Sequence, residues 1–285
     1  MNRQQFLTLI AASSLTLSMG IFLEPKLERE GIRASSPASA QTTHRSDRSA
    51  SSVAIGTGGQ VQVNLPDRGA PSSTSGAGSR GDCLAINQEL LVAALPDSNL
   101  GLTTVPYPTI YVYVPALKNS AESLELSVIK KHQDPAKSKV YEVSFPLPDK
   151  PGIVGLSLES LKQSDPPLPA LQVGQRYNWY VSVVCDPVER SGNAIVDGWV
   201  ERIAWDSEKL DPEASLLNAQ LYGQKGVWYE TIQTMAALRR KEDTAALKAS
   251  WKNIFEVAGL ADISDAEIVD CCQPNEAESY ANEQQ

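Results

Sequence analysis

LQVGQRYNWYVSVVC, residues 171–185, holds two patterns end to end. Leu171, Gly174 and Tyr177 are spaced as Leu-x-x-Gly-x-x-Tyr. Tyr177, Trp179, Val181, Val183 and Cys185 then alternate, so one face of an extended chain carries all five. A β-sandwich strand enters its sheet in this way after a tyrosine corner. The ring packs at the end of the sandwich and its hydroxyl bonds to backbone a few residues upstream. Leu171, Gly174 and Tyr177 are therefore expected to form a structural corner. The stretch points to a fold and says almost nothing about activity.

On either side of it, short apolar runs are cut by Pro, Gly and Asp. They predict strands at Leu90–Leu95, Thr109–Val114, Ser123–Lys130, Lys139–Phe145, Ile153–Leu158, Arg176–Asp186 and Ala194–Trp205. Ile110, Val112 and Val114 alternate with Tyr111 and Tyr113; Leu124, Leu126 and Val128 alternate with Glu125 and Ser127. This period of two marks half-buried antiparallel strands. No amphipathic helix interrupts them, which argues against a parallel α/β sheet. The fold class expected is mostly β with a C-terminal α part. It is an immunoglobulin- or fibronectin-like antiparallel sandwich, followed by a helical hairpin or three-helix unit.

Helical periodicity begins after Asp206. Pro212–Gly223, Trp228–Arg240 and Thr244–Val257 read as helices, with Asp243 as an N-cap and Gly259 as a stop. Tyr222, Gly226 and Trp228 match the turn of a tetratricopeptide-type hairpin. A stable array needs about three such repeats and one is present, so a hairpin packed on the sandwich is the reading.

The N-terminus reads as an export signal. Phe6 to Leu23 is mostly apolar and uncharged, and Ala38-Ser39-Ala40 fits a small-x-small cleavage site. The mature chain is expected to begin at Gln41, giving a periplasmic or secreted protein. An uncleaved anchor is the alternative, and membrane contact is expected only in that case. Removing 1–40 takes away four basic and three acidic residues, so the formal charge moves from −9 to −10. Such a chain argues against nucleic acid as a partner. The domain reading is a signal at 1–40, a disordered Ser/Gly-rich linker at 41–79 and a β-sandwich at 80–206. A helical unit at 207–272 and a disordered tail at 273–285 complete it.

Two histidines are present, His44 in the linker and His132 in a hairpin loop. Neither is placed to complete a Ser-His-Asp or Cys-His site. No zinc-protease, nucleophile-elbow or Walker motif occurs. The acidic pairs Asp186 with Glu189 and Asp262 with Asp265 read as solvated loop carboxylates. No catalytic residue, metal ligand or cofactor site is assigned, and the chain is read as a non-enzyme.

The four cysteines are Cys83, Cys185, Cys271 and Cys272. In an exported protein they read as disulfides. Adjacent cysteines seldom pair with each other, because the eight-membered ring strains the peptide. Cys271 and Cys272 are thus expected to reach Cys83 and Cys185, one each. A reactive vicinal dithiol is the alternative. The only hint of a binding surface is aromatic. Tyr111, Tyr113 and Tyr180 face away from the expected core and could stack on a sugar, unless the C-terminal helices cover them.

Taken together, Arg80-Gly81-Asp82-Cys83, Gly101-Leu102-Thr103-Thr104, Tyr113-Val114-Pro115, Phe145-Pro146-Leu147-Pro148, Val184-Cys185-Asp186-Pro187, Gly198-Trp199-Val200, Gly226-Val227-Trp228-Tyr229 and Asp270-Cys271-Cys272 resemble the cyanobacterial "domain of unknown function 928" family. The resemblance runs over about residues 80–272. It implies an exported protein of a photosynthetic bacterium and carries no activity with it. The expected function is a non-catalytic interaction protein of the cell envelope, partnered by another envelope protein. A glycan-binding module is the alternative.

Overall fold

The computed structural model describes residues 60–67, 69, 82–85, 90–118, 120–130, 139–163, 167–205, 210–274 and 276–279. All belong to the unit Ala54–Gln285. The expected signal peptide, most of the linker, His44 and His132 lie outside the described residues.

In chain order the elements are β1 (Val92–Ala93), β2 (Leu100–Thr103), β3 (Thr109–Val114), β4 (Ser123–Ile129), β5 (Lys139–Phe145), β6 (Gly152–Ser157), β7 (Arg176–Val184) and β8 (Ala194–Arg202). Helices α1 (Leu216–Gln224), α2 (Trp228–Lys241) and α3 (Ala245–Val257) follow, and then strand β9 (Glu276–Ser279). One sheet has the order β1-β3-β6 and the other β2-β8-β7-β4-β5-β9. All ladders are antiparallel except β2 against β8. The chain is thus mostly β, with two sheets over a shared core and helices at the C-terminal end.

On β4 the alternation seen in the sequence sets which face is buried. Leu124, Leu126 and Val128 of β4 are buried while Ser123, Glu125, Ser127 and Ile129 are only half-buried. On β7, Tyr177, Trp179, Val181 and Val183 join the same core, together with Ile110 and Val114 of β3. β2 was not expected. All four of its residues are buried, so it carries no period of two. A strand covered on both faces loses that signal.

The corner at the start of β7 forms. The Tyr177 hydroxyl accepts a hydrogen bond of 3.1 Å from the backbone N–H of Gln172. Gly174 has φ +76°, where a side chain would be strained. Leu171 is buried beside it. Tyr177→Phe leaves the Gln172 amide without this acceptor and should cost about 1–2 kcal/mol, read as a lower urea midpoint with unchanged m. An unchanged midpoint would remove the corner's role in stability.

Helix starts follow their caps. Ser215 accepts from the Asn218 amide at α1, and Thr244 from the Leu247 amide at α3. Thr244, not the expected Asp243, caps α3, because Asp243 is drawn into ion pairs with Arg239 and Lys248. α2 is the central helix and is buried from Trp228 to Ile232. The Trp228 indole N–H donates to the Ala94 carbonyl at 2.8 Å. The Trp179 indole donates to the Tyr229 hydroxyl at 2.7 Å, and that hydroxyl donates to the Trp199 carbonyl at 3.1 Å. This chain of bonds joins β7, α2 and β8 through the buried interior. Gly101 makes the approach possible, since a Cβ there would lie 2.5 Å from the Tyr229 ring.

Two boundaries are corrected. The linker expected at 41–79 holds an ordered strap. Val61 is fully buried, and the Asn64 amide donates to the Gly223 carbonyl at 2.8 Å. The alternation of Val61, Val63 and Leu65 is local and is lost in the Ser/Gly-rich average. The tail expected at 273–285 contributes β9, which pairs with β5 from Tyr141↔Ser279 to Ser144↔Glu276. A sheet edge offers backbone donors and acceptors to any extended segment, whatever its hydropathy.

Candidate functional site

The apolar stripes of α1, α2 and α3 do not close completely over one another. Leu216 opens α1 and stays 40% exposed, though it is leucine at the start of an apolar run. Leu238 lies near the end of α2, and α3 starts soon afterwards with Leu247 turned inward. Ala246, Ala249 and Ser250 of the same helix line the space with them. The result is a groove of about 380 Å³, walled by Leu216, Leu238, Leu247 and Ala249, with Gln60 on one side and Glu242 at the rim. Such a space suits one or two apolar side chains, with Glu242 free to meet a cation beside them. None of these groove residues was read as a site in the sequence, where Leu216 and Leu238 fall on the apolar faces of their helices. The available signal was Leu216, whose exposure depends on how far α3 reaches.

A second group lies deeper. Glu230 of α2 is 4% exposed. Its Oε1 accepts from the Thr103 hydroxyl at 2.6 Å, the Thr104 amide at 3.0 Å and the Val105 amide at 3.2 Å. Oε2 is buried and has no hydrogen-bond partner. Burial raises the carboxyl pKa above its ordinary value, and the hydrogen bonds to Oε1 oppose that rise. Glu230 thus staples α2 to the end of β2. A folded pKa above the unfolded one means that the folded state holds its proton longer. The contribution is full below the unfolded pKa of about 4.3 and is lost as pH rises through the folded pKa. Relative to wild type, Glu230→Gln should therefore gain stability as pH rises across that range. Parallel urea midpoints for the two proteins at every pH would contradict this.

The cysteines pair differently from the expectation. Cys83 bonds Cys185, with Cα atoms 5.2 Å apart, and Cys271 bonds Cys272. Cys185 follows β7 directly, and the segment of Cys83 is held beside it by Asp82 N–H to Gly192 O and Lys118 N–H to Cys83 O, both 2.8 Å. The vicinal ring is accommodated by Cys272 at φ +84°, a conformation that the sequence argument did not allow for.

The three tyrosines do not make one surface. Tyr111 is buried, with Arg240 of α2 reaching its hydroxyl, so helices cover it. Tyr113 and Tyr180 are half-buried and stand on different sheets. Tyr111 is therefore withdrawn from the binding surface. The acidic pairs serve locally. Asp186 accepts from the Val188 and Glu189 amides, which lowers its pKa, and Asp265 pairs with Lys252 at 3.0 Å.

A family model described as Domain of Unknown Function (DUF928) matches residues 75–268 of the 285. The chain belongs to the DUF928 family. The DUF928 match takes in β1 to β8, all three helices and every groove residue except Gln60, and ends before Cys271. No curated protein matches the chain. Among the described residues of this DUF928 protein, no helix is long and apolar enough to cross a membrane.

Proposed function

We propose that this DUF928 protein is an exported, non-catalytic interaction protein of a bacterial cell envelope, and that the groove of α1, α2 and α3 receives an apolar anchor of a partner polypeptide. The groove carries the reading, because Leu216 and its neighbours leave apolar surface unfilled beside a charged rim. Export is supported by the signal-like N-terminus and by the Cys83–Cys185 disulfide, which suits an oxidising compartment. Glu242 and the net charge of −9 favour a partner with Lys or Arg beside its anchor. The glycan reading retains Tyr113 and Tyr180 as separate half-buried rings.

A peptide-display library and a glycan array, probed with the same purified protein, test this. Selected peptides should share a Leu, Ile or Phe anchor next to a basic residue. Leu238→Glu should weaken them by about ten-fold or more, since burying one such side chain is worth ~1.5–3 kcal/mol. Glycan binding abolished by Tyr113→Ala or Tyr180→Ala, with no peptide selected, would replace the reading by its alternative.

A further inference from the structure

We propose that Cys271–Cys272 is a thiol–disulfide exchange site for a dithiol reductant, and that its oxidation state decides whether β9 stays on the edge of β5. The inference does not depend on the groove.

The ring sits where the chain changes sheets. Ahead of it, the Ile153 amide donates to Glu267 O at 2.8 Å and the Val269 amide to Ile153 O at 2.9 Å, so this segment lines the edge strand β6 of the smaller sheet. Beyond it, β9 forms the outer strand of the larger sheet. Between the two, Cys271 Sγ passes 4.0 Å from the carbonyl oxygen of Pro146, just after β5 ends. The crossing needs a sharp turn, and Cys272 makes it at φ +84°. Among the described residues, Asn99 and Cys272 are the non-glycine positions with positive φ. Asparagine tolerates that region, whereas other side chains are strained there. In a linear peptide Cys272 would relax to negative φ and redirect the chain. The eight-membered ring joins Cys272 to its neighbour and withholds that freedom.

Access differs between the two sulfurs. Cys271 is half-buried and Cys272 is 7% exposed. A thiolate of the donor therefore attacks Cys271 Sγ. The Cys271–Cys272 bond breaks, and Cys272 leaves as a thiolate and takes up a proton. The second donor thiolate attacks the donor's own sulfur in the mixed disulfide. Cys271 is released, takes up the second proton, and the donor ends as a disulfide. Two electrons and two protons have moved to the pair. Cys185 is half-buried like Cys271, so the two disulfides differ less in access than in support: backbone bonds at Asp82, Cys83 and Ala85 hold the Cys83 segment in place. Loss of β9 would leave β5 as a bare edge.

The test uses the full chain, purified without reductant, with dithiothreitol as the probe dithiol. Alkylation and peptide mapping should show Cys271 and Cys272 modified before Cys83 and Cys185. Amide exchange at 276–279 should quicken about ten-fold or more in step with that reduction, from the cost of a non-glycine residue in the left-handed region. Exchange along β7 and β8 should not change. Two double variants separate the turn from the sulfur. Cys271→Ser with Cys272→Gly should keep slow exchange at 276–279 with or without reductant, because glycine accepts the positive φ. Cys271→Ser with Cys272→Ala should exchange fast in both conditions. The proposal is overturned if the pair is alkylated without reductant, or if exchange at 276–279 is equal in oxidised, reduced and alanine-substituted protein. It is also overturned if β7 and β8 open together with β9.

Discussion

Replacing Cys83 and Cys185 together by alanine should lower stability by about 4–5 kcal/mol. The disulfide joins positions 102 residues apart, so it removes much of the unfolded chain's freedom. By loop-closure entropy a loop of roughly 100 residues is worth ~4.7 kcal/mol. Backbone bonds at Asp82, Cys83 and Ala85 hold the segment in place beside the bond. Urea unfolding of oxidised wild type against the double variant measures it. A difference under about 1 kcal/mol would mean that the bond is absent, or that the unfolded chain is already constrained there. The Cys271–Cys272 bond should behave in the opposite way. It closes a ring of neighbours, constrains almost no chain, and its removal should leave the global midpoint nearly unchanged.

The second large effect is expected at Trp179. Its ring is fully buried, and Gly198 on the paired strand is bare beneath it, since a Cβ there would lie 2.3 Å from the indole. Trp179→Ala should cost about 3–5 kcal/mol, as large-to-small changes in a core do. It also strips the Tyr229 hydroxyl of its donor, at the point where α2 meets the sheets. Trp179→Phe keeps most of the packing and loses the indole N–H, so about 1–2 kcal/mol is expected. If helices and sheets unfold as one unit, far-ultraviolet circular dichroism and tryptophan fluorescence should move together in all three proteins. A helical signal that melts first in both variants would show that the bond to Tyr229 couples them, whereas one that melts first in Trp179→Ala alone would assign the coupling to the packing of the ring.

Much of the fold was legible because its strands alternate apolar and polar or aromatic residues, with one face of β4 left half-covered and the outer face of β3 covered by α2. Thr109–Val114 and Lys139–Phe145 have the bounds that their alternation predicts. The corner was legible because Gly174 and Tyr177 do jobs that few other residues can do. The misses share a physical origin. β2 is buried on both faces, so its LGLT has no period to read. The strap of Val61 to Leu65 and the strand β9 are each stabilised by a surface that the rest of the chain supplies. The local sequence does not contain that surface. The cysteine pairing was missed because it depended on a backbone torsion at Cys272, which spacing does not reveal. The groove was hidden for a similar reason. It is defined by where three helices fail to meet, and side-chain pattern reports where each helix is apolar, not where the stripes end. Tyr111 shows the reverse. An aromatic residue facing outward on its strand met α2 rather than solvent.

The groove between α1, α2 and α3 is proposed as the face that meets a partner polypeptide. Amide chemical shifts of isotope-labelled protein, recorded while a display-selected peptide is titrated in, test it most directly. The claim predicts saturable shifts at Leu216, Leu238, Glu242 and 244–250, absent in Leu238→Glu. Shifts centred on Tyr113 or Tyr180, or none at the groove, would contradict it.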